Sequence, residues 1–87
     1  FAFDWVQHPD RLRTPMVRGE DGKLHPASWD EALDRAAAGF ARALRDHGNH
    51  STYAIASGRA PHESAYAIQK LIRATSGTNF IDNCSRA

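Results

Sequence analysis

The chain has 87 residues, of which 41% are hydrophobic and 24% charged, and its formal net charge is +1. A chain of this length builds at most one small hydrophobic core, and this composition is typical of a globular protein rather than a disordered one. The near balance of charges argues against nucleic-acid binding, and no apolar stretch approaches the roughly 20 residues that a membrane span needs. One cysteine, Cys84, excludes an internal disulfide and suits a reducing compartment, so we expect a cytoplasmic location.

The first part of the chain predicts an arm followed by a hairpin. Residues 1–13 contain His8-Pro9-Asp10, a turn-forming sequence that prevents a helix, so this segment is expected to be an extended arm. The arm carries three aromatic residues, which are Phe1, Phe3 and Trp5. Residues 15–18 and 23–25 can form two short strands, because the Gly-Glu-Asp-Gly sequence at residues 19–22 is typical of a turn.

A helix is predicted to begin at Ser28. The Ser28 hydroxyl can accept a hydrogen bond from the backbone amide of Glu31, and acidic residues in the first turn interact favourably with the helix dipole. An apolar face follows at spacings of three and four residues, made of Leu33, Ala37, Phe40 and Leu44. Gly48 is the expected end of this helix.

The second half of the chain predicts a strand, a helix and a second strand, at residues 52–56, 63–76 and 78–81. A helical connection of this length is what two parallel strands need, so a right-handed crossover is expected. The predicted fold class is therefore a small α/β fragment of the three-layer type. Residues 1–27 would form the arm and hairpin, and residues 28–87 the helix–strand–helix–strand unit of the same single domain.

The carboxyl ends of the two predicted strands form a candidate binding edge. Ser57, Gly58 and Arg59 follow the first strand, and a polar group follows the second, made of Asp82, Asn83, Cys84, Ser85 and Arg86. Parallel strands end at the same edge of a sheet, where α/β proteins bind ligands. Loop amides at the start of the helix, together with Arg59, favour an anion such as phosphate. The known glycine-rich phosphate-loop sequences are absent, so residues from elsewhere would have to complete a nucleotide site.

Other reactive side chains have simpler explanations. His47 and His50 lie near a helix end, but no second pair of ligands completes a zinc site. Cys84 is interpreted as a small buried core residue, with a redox or metal-adjacent role as the alternative. Arg86 can bind an anion or pair with a carboxylate.

Six segments along the chain form a recognisable pattern. They are His8-Pro9-Asp10-Arg11-Leu12, Thr14-Pro15, Ala27-Ser28-Trp29-Asp30-Glu31-Ala32, Gln69-Lys70-Leu71, Gly77-Thr78-Asn79 and Ile81-Asp82-Asn83-Cys84-Ser85-Arg86. In their order and spacing they resemble the molybdopterin oxidoreductases, and within that family the catalytic subunits of formate dehydrogenases. The Cys-x-Arg pattern at residues 84–86 favours a formate dehydrogenase over a nitrate reductase.

The resemblance implies that this chain is a fragment lying between two redox centres. In the family, an N-terminal domain binds a four-iron four-sulfur cluster, and the main body holds molybdenum or tungsten on two molybdopterin guanine dinucleotides. The cluster ligands would precede Phe1, and the cysteine or selenocysteine that ligates the metal would follow Ala87. Cys84 is not the metal ligand in this mapping. Arg59 corresponds to an arginine that lies close to a pterin dinucleotide.

The implied function is oxidation of formate to carbon dioxide by the intact protein, and the fragment alone is expected to be inactive. Cofactor binding is expected to involve Ser57, Gly58, Arg59, Asn83, Cys84 and Arg86, with no catalytic or metal-ligating residue in this chain. The implied partners are the remainder of the same subunit, electron-transfer subunits and formate. The alternatives are another molybdopterin enzyme, such as a nitrate reductase, or a non-enzymatic module that binds a protein through its aromatic arm.

Overall fold

The computed structural model describes residues 2–84 and confirms a small α/β fragment with two helices, an antiparallel strand pair and a parallel pair. The strands are β1 (Met16–Arg18), β2 (Leu24–Pro26), β3 (Ala54–Ala56) and β4 (Ile81–Asn83), and the helices are α1 (Trp29–His47) and α2 (His62–Leu71). A 3₁₀ turn at Asn49–Ser51 follows α1, and a π-helical turn at Ile72–Ser76 follows α2. The chain divides into two compact units, Phe1–Ala37 and Ala38–Ala87.

The first unit contains the predicted hairpin. β1 and β2 pair in antiparallel register with Val17 opposite His25. In the connecting turn, both carboxylate oxygens of Asp21 lie within hydrogen-bonding distance of His25 Nε2, at 3.0 and 2.9 Å. The backbone N–H of Lys23 donates to Asp21 Oδ1 over 3.0 Å. The His25 contact, followed by the Lys23 amide, lowers the pKa of the Asp21 carboxyl group.

The segment before the hairpin is a series of turns rather than an extended arm. The backbone amide of His8 donates to the Trp5 carbonyl over 3.4 Å, and that of Arg11 donates to the His8 carbonyl over 3.0 Å. These turns bring the Arg11 guanidinium to 5.6 Å from the Trp5 ring centroid, a cation–π contact. Phe3 is 85% exposed, and Phe1 lies outside the described residues.

α1 begins where the sequence predicts. Ser28 Oγ accepts the Glu31 N–H over 3.1 Å, and the helix ends before Gly48, whose φ of 81° favours glycine. Among the described residues its apolar face is mostly exposed, because Leu33 is 59% and Phe40 54% exposed, while Leu44 is half-buried. The helix therefore contributes little to the core.

The second unit contains the predicted strand–helix–strand crossover. β3 and β4 are parallel, with Ala54 opposite Ile81 and Ala56 opposite Asn83, and α2 contacts β3. Ala54 and Ile72 are the buried apolar residues among those described. Three polar residues are also buried in this unit, namely Thr52, Ser76 and Thr78.

The boundaries of the crossover differ from the prediction at residues 78–81, and β4 begins only at Ile81. Thr78 Oγ1 accepts the Phe80 N–H over 3.2 Å, and the Asn79 carbonyl accepts the Ile81 N–H over 2.8 Å. These local bonds hold a turn where a strand was expected. The ladder consequently starts with Ala54 N–H donating to the Phe80 carbonyl, which leaves residues 52 and 53 before β3.

The predicted helix at residues 63–76 is also divided. Regular α-helix ends at Leu71, and the π-helical turn occupies the remaining residues. Thr75 Oγ1 donates to the Leu71 carbonyl over 2.6 Å, a side-chain bond that accompanies the changed backbone pattern. Gly77 ends the turn in a left-handed conformation with φ 64°.

We expect Gly77→Ala to lower the free energy of unfolding by about 1–2 kcal/mol, because a side chain in the left-handed region is strained. A Cβ atom there would also lie 3.2 Å from Asn49 Nδ2. Urea denaturation measures the change. The matched control is Gly39→Ala inside α1, where a Cβ meets no atom within 4 Å. Because alanine has the higher helix propensity, this change should raise the free energy of unfolding by about 0.5–1 kcal/mol. Equal stability of Gly77→Ala and the wild type would contradict the strain argument.

The lowered pKa of Asp21 predicts a pH-dependent hairpin. The ionised carboxylate is favoured in the folded chain, so its stabilising effect is present above the pKa of the unfolded chain. That effect disappears as the pH falls through the lower folded pKa. Asp21→Asn should therefore destabilise the hairpin at neutral pH, and its effect should shrink as the pH falls below the ordinary aspartate pKa of 3.8. NMR titration of the residue 16–26 amides measures this, and a difference from wild type that persists unchanged in acid would refute it.

Candidate functional site

The parallel pairing brings the two predicted polar segments together at one edge of the sheet. Ser57 follows β3 directly, and Cys84 follows β4 directly. The backbone N–H of Cys84 donates to the Ala56 carbonyl over 3.3 Å, and the N–H of Gly58 donates to Cys84 Sγ over 3.3 Å. Residues 26 positions apart in sequence thus make direct contact at this edge.

The loop between β3 and α2 uses its own backbone donors internally. Arg59 N–H donates to Ser57 Oγ over 3.1 Å, and Ala60 N–H donates to the Ser57 carbonyl over 3.1 Å. With Gly58 donating to Cys84, the amides of three consecutive residues have acceptors within the chain. This differs from the expectation that these loop amides face an anion, and it follows from the Ser side chain closing a turn on itself.

Two kinds of donor remain available to an anion at this edge. The Arg59 side chain belongs to an exposed residue and carries a permanent positive charge. α2 begins after Pro61, and no side chain caps its first amides, so the positive end of its dipole adds to this charge. Glu63 in the first turn reduces that positive potential. Arg59 is therefore the main electrostatic feature of the loop.

A groove of about 480 Å³ lies between α2 and the strand ends. Its lining residues are Ala56, Ala65, Tyr66, Gln69, Ile81, Asp82 and Asn83. Small alanine side chains leave the space, while Gln69 and Asn83 can donate or accept hydrogen bonds and Asp82 can accept them. Asp82 Oδ1 accepts the Asn83 N–H over 2.7 Å. The volume is within the range of about 300–1,000 Å³ that is typical of ligand sites.

Tyr66 and Gln69 line the groove with groups that can form hydrogen bonds, and neither was predicted from the sequence as a site residue. Hydrophobic periodicity marks apolar positions that pack in a core, so it does not identify side chains such as Gln69 that face a groove. Gln69 does belong to one of the six segments quoted above, which was the available signal.

Cys84 is exposed, so its interpretation as a buried core residue is wrong. It follows the last residue of β4, where the sheet ends and no further element covers the side chain among the described residues. Ser57, Gly58, Arg59 and Asn83 are exposed as well. Arg86 lies outside the described residues.

Residues 2–84 contain no group of three or more His, Cys, Asp or Glu side chains that could hold a metal ion. Over the same residues, no helix combines the length and the apolar character that crossing a membrane would require.

Comparison with known proteins identifies the family. The sequence profile of the molybdopterin oxidoreductases matches residues 11–87. A protein of Staphylococcus haemolyticus strain JCSC1435 with the name "Putative formate dehydrogenase" is 40% identical over 86 residues, which are 99% of this chain and 9% of that protein. Proteins of the same name from Staphylococcus aureus strains USA300 and NCTC 8325 are also 40% identical over the same shares.

The family profile extends over all four strands, both helices and the candidate edge. The chain spans only 9% of the length of the Staphylococcus haemolyticus relative. Family membership implies a molybdopterin cofactor in the intact protein. This chain belongs to the molybdopterin oxidoreductase family.

Proposed function

We propose that this chain is the part of a formate dehydrogenase-like oxidoreductase that helps to hold a molybdopterin guanine dinucleotide. The observation that carries the proposal is the meeting of the Ser57–Arg59 loop with Asn83 and Cys84 at the carboxyl edge of β3 and β4. That edge is where α/β proteins commonly bind ligands, and Arg59 supplies a positive charge there.

The residues at this edge fit the phosphate end of such a cofactor. The Arg59 guanidinium can donate paired, charge-assisted hydrogen bonds to phosphate oxygens. The Ser57 hydroxyl accepts the Arg59 amide and still has a proton to donate. The uncapped start of α2 adds a favourable dipole, and the neighbouring groove has room for part of a ligand. Arg86, two residues after Cys84, is proposed as a further contact to the cofactor.

When bound, the cofactor supplies the molybdenum or tungsten centre that accepts two electrons from formate. The residues of this chain do not take part in that chemistry. Their proposed role is to bind and orient the dinucleotide, with direct contacts from Ser57, Arg59, Asn83 and Arg86 and with Gly58 and Cys84 shaping the loop. The chain alone should be inactive.

The finer features of the intact protein are also proposals. Relatives named as formate dehydrogenases support formate as the substrate and carbon dioxide as the product. The electrons would pass to a four-iron four-sulfur cluster and then to electron-transfer subunits, in a cytoplasmic enzyme. The remainder of the same subunit would cover exposed apolar side chains of this chain. Examples are Ile55 in β3, which is 60% exposed, and Tyr53 just before β3, which is 58% exposed.

Replacing Arg59 tests this role in the intact protein. Arg59→Ala should release the pterin cofactor at least about tenfold faster, because a charged hydrogen bond contributes about 1.5–3 kcal/mol and 1.4 kcal/mol corresponds to tenfold. The measurement is protein-bound pterin, quantified by fluorescence after oxidation, during incubation at fixed temperature.

Arg45→Ala is the matched control for this experiment. It also removes one positive charge, but Arg45 belongs to α1 and its Nε donates to Asp46 Oδ1 over 3.0 Å. Its release rate should equal that of the wild type. If Arg59→Ala releases pterin at the wild-type rate, the proposed role of Arg59 is refuted, whatever the activity of the variant.

A further inference from the structure

The parallel ladder of β3 and β4 ends with an unusual acceptor. The register that pairs Ala56 with Asn83 would next pair Ser57 with Cys84. In a parallel ladder that pairing needs two bonds, from Cys84 N–H to the Ala56 carbonyl and from Gly58 N–H to the Cys84 carbonyl. The first bond is present at 3.3 Å. The Gly58 N–H instead donates to the Cys84 sulfur over 3.3 Å.

Because the sulfur and not the carbonyl oxygen accepts the Gly58 N–H, the loop follows a different path from that of a continued strand. A donor directed at the side chain turns away from the ladder, so β3 stops at Ala56 and the backbone leaves the sheet. The bond is made by Gly58, the residue with the greatest backbone freedom in the loop, where one anchor removes the most conformational entropy. One residue later, the Arg59 amide is held by Ser57 Oγ.

We propose that Cys84 is a positioning residue for Arg59. By accepting the Gly58 N–H, its sulfur ends the ladder and sets the direction in which the Arg59 side chain leaves the loop. Cys84 acts through Gly58 and needs no direct contact with the cofactor. This inference rests on the proposed function, because the orientation of Arg59 matters only if Arg59 binds the dinucleotide.

Two substitutions separate the acceptor from other properties of the cysteine. Cys84→Ala removes the sulfur, so the Gly58 N–H can donate to the backbone carbonyl of residue 84 and extend the ladder by one pair. Cys84→Ser keeps a side-chain acceptor at the same position, although it lies on a shorter bond. The alanine variant should release cofactor about threefold faster, a change of about 0.65 kcal/mol, because the redirected loop no longer holds Arg59 in the orientation that binds the dinucleotide. The serine variant should release it at close to the wild-type rate.

A double-mutant cycle in the intact, cofactor-loaded protein tests the coupling. The rate of pterin release is measured for the wild type, Cys84→Ala, Arg59→Ala and the double variant, together with Cys84→Ser. If Cys84 acts through Arg59, adding Cys84→Ala to Arg59→Ala should cause no further acceleration. The thermal midpoint of each variant is measured alongside, and we expect Cys84→Ala and Cys84→Ser to have the same midpoint.

The outcomes distinguish the inference from the function on which it rests. Suppose that Arg59→Ala releases pterin faster than the wild type. The positioning role alone would then be overturned if Cys84→Ala releases pterin at the wild-type rate, or if the double variant shows the product of the two single accelerations. Equal acceleration in Cys84→Ala and Cys84→Ser would also overturn it, since the acceptor would then be irrelevant. No acceleration in Arg59→Ala would overturn both proposals together.

Discussion

The parallel pairing of β3 and β4 is the constraint on which the second unit depends. Each strand has three residues, and their register determines where the polar segments that follow them lie. Because both strands run in the same direction, α2 must return the chain to the starting edge. The same geometry places the Ser57–Arg59 loop beside Cys84. Without this pairing there would be no shared edge and no candidate site.

The core that supports this pairing is small and partly polar. Ala54 and Ile72 are buried, and the buried Thr78 hydroxyl accepts the Phe80 N–H and lies 3.4 Å from His50 Nδ1. Among residues 2–84, the buried Thr52 Oγ1 has no hydrogen-bond partner, which is a cost to the fold. Such a core provides only marginal stability. The proposed function accounts for this weakness, because a much longer subunit would cover the exposed apolar side chains.

Regular patterns in the sequence predicted most of the fold, whereas individual side-chain hydrogen bonds decided the rest. The Ser28 cap, the end at Gly48 and the crossover follow from spacing and helix-end chemistry, which are local properties. The start of β4 was misplaced because Thr78 Oγ1 takes the Phe80 amide, a choice that strand propensity does not report. At the candidate site, topology predicted which segments meet. It could not predict that the Cys84 sulfur would accept a ladder hydrogen bond.

The internal bonding of the loop determines how this edge can recognise an anion. A glycine-rich phosphate loop directs consecutive backbone amides at its ligand, so its affinity depends on backbone shape. Here the amides of Gly58, Arg59 and Ala60 already have acceptors within the chain. In the proposed function, recognition therefore depends on the Arg59 side chain rather than on these loop amides. Under the two proposals, affinity at this edge would depend on where the Arg59 guanidinium points, and Ser57 and Cys84, which hold the loop, would set that direction.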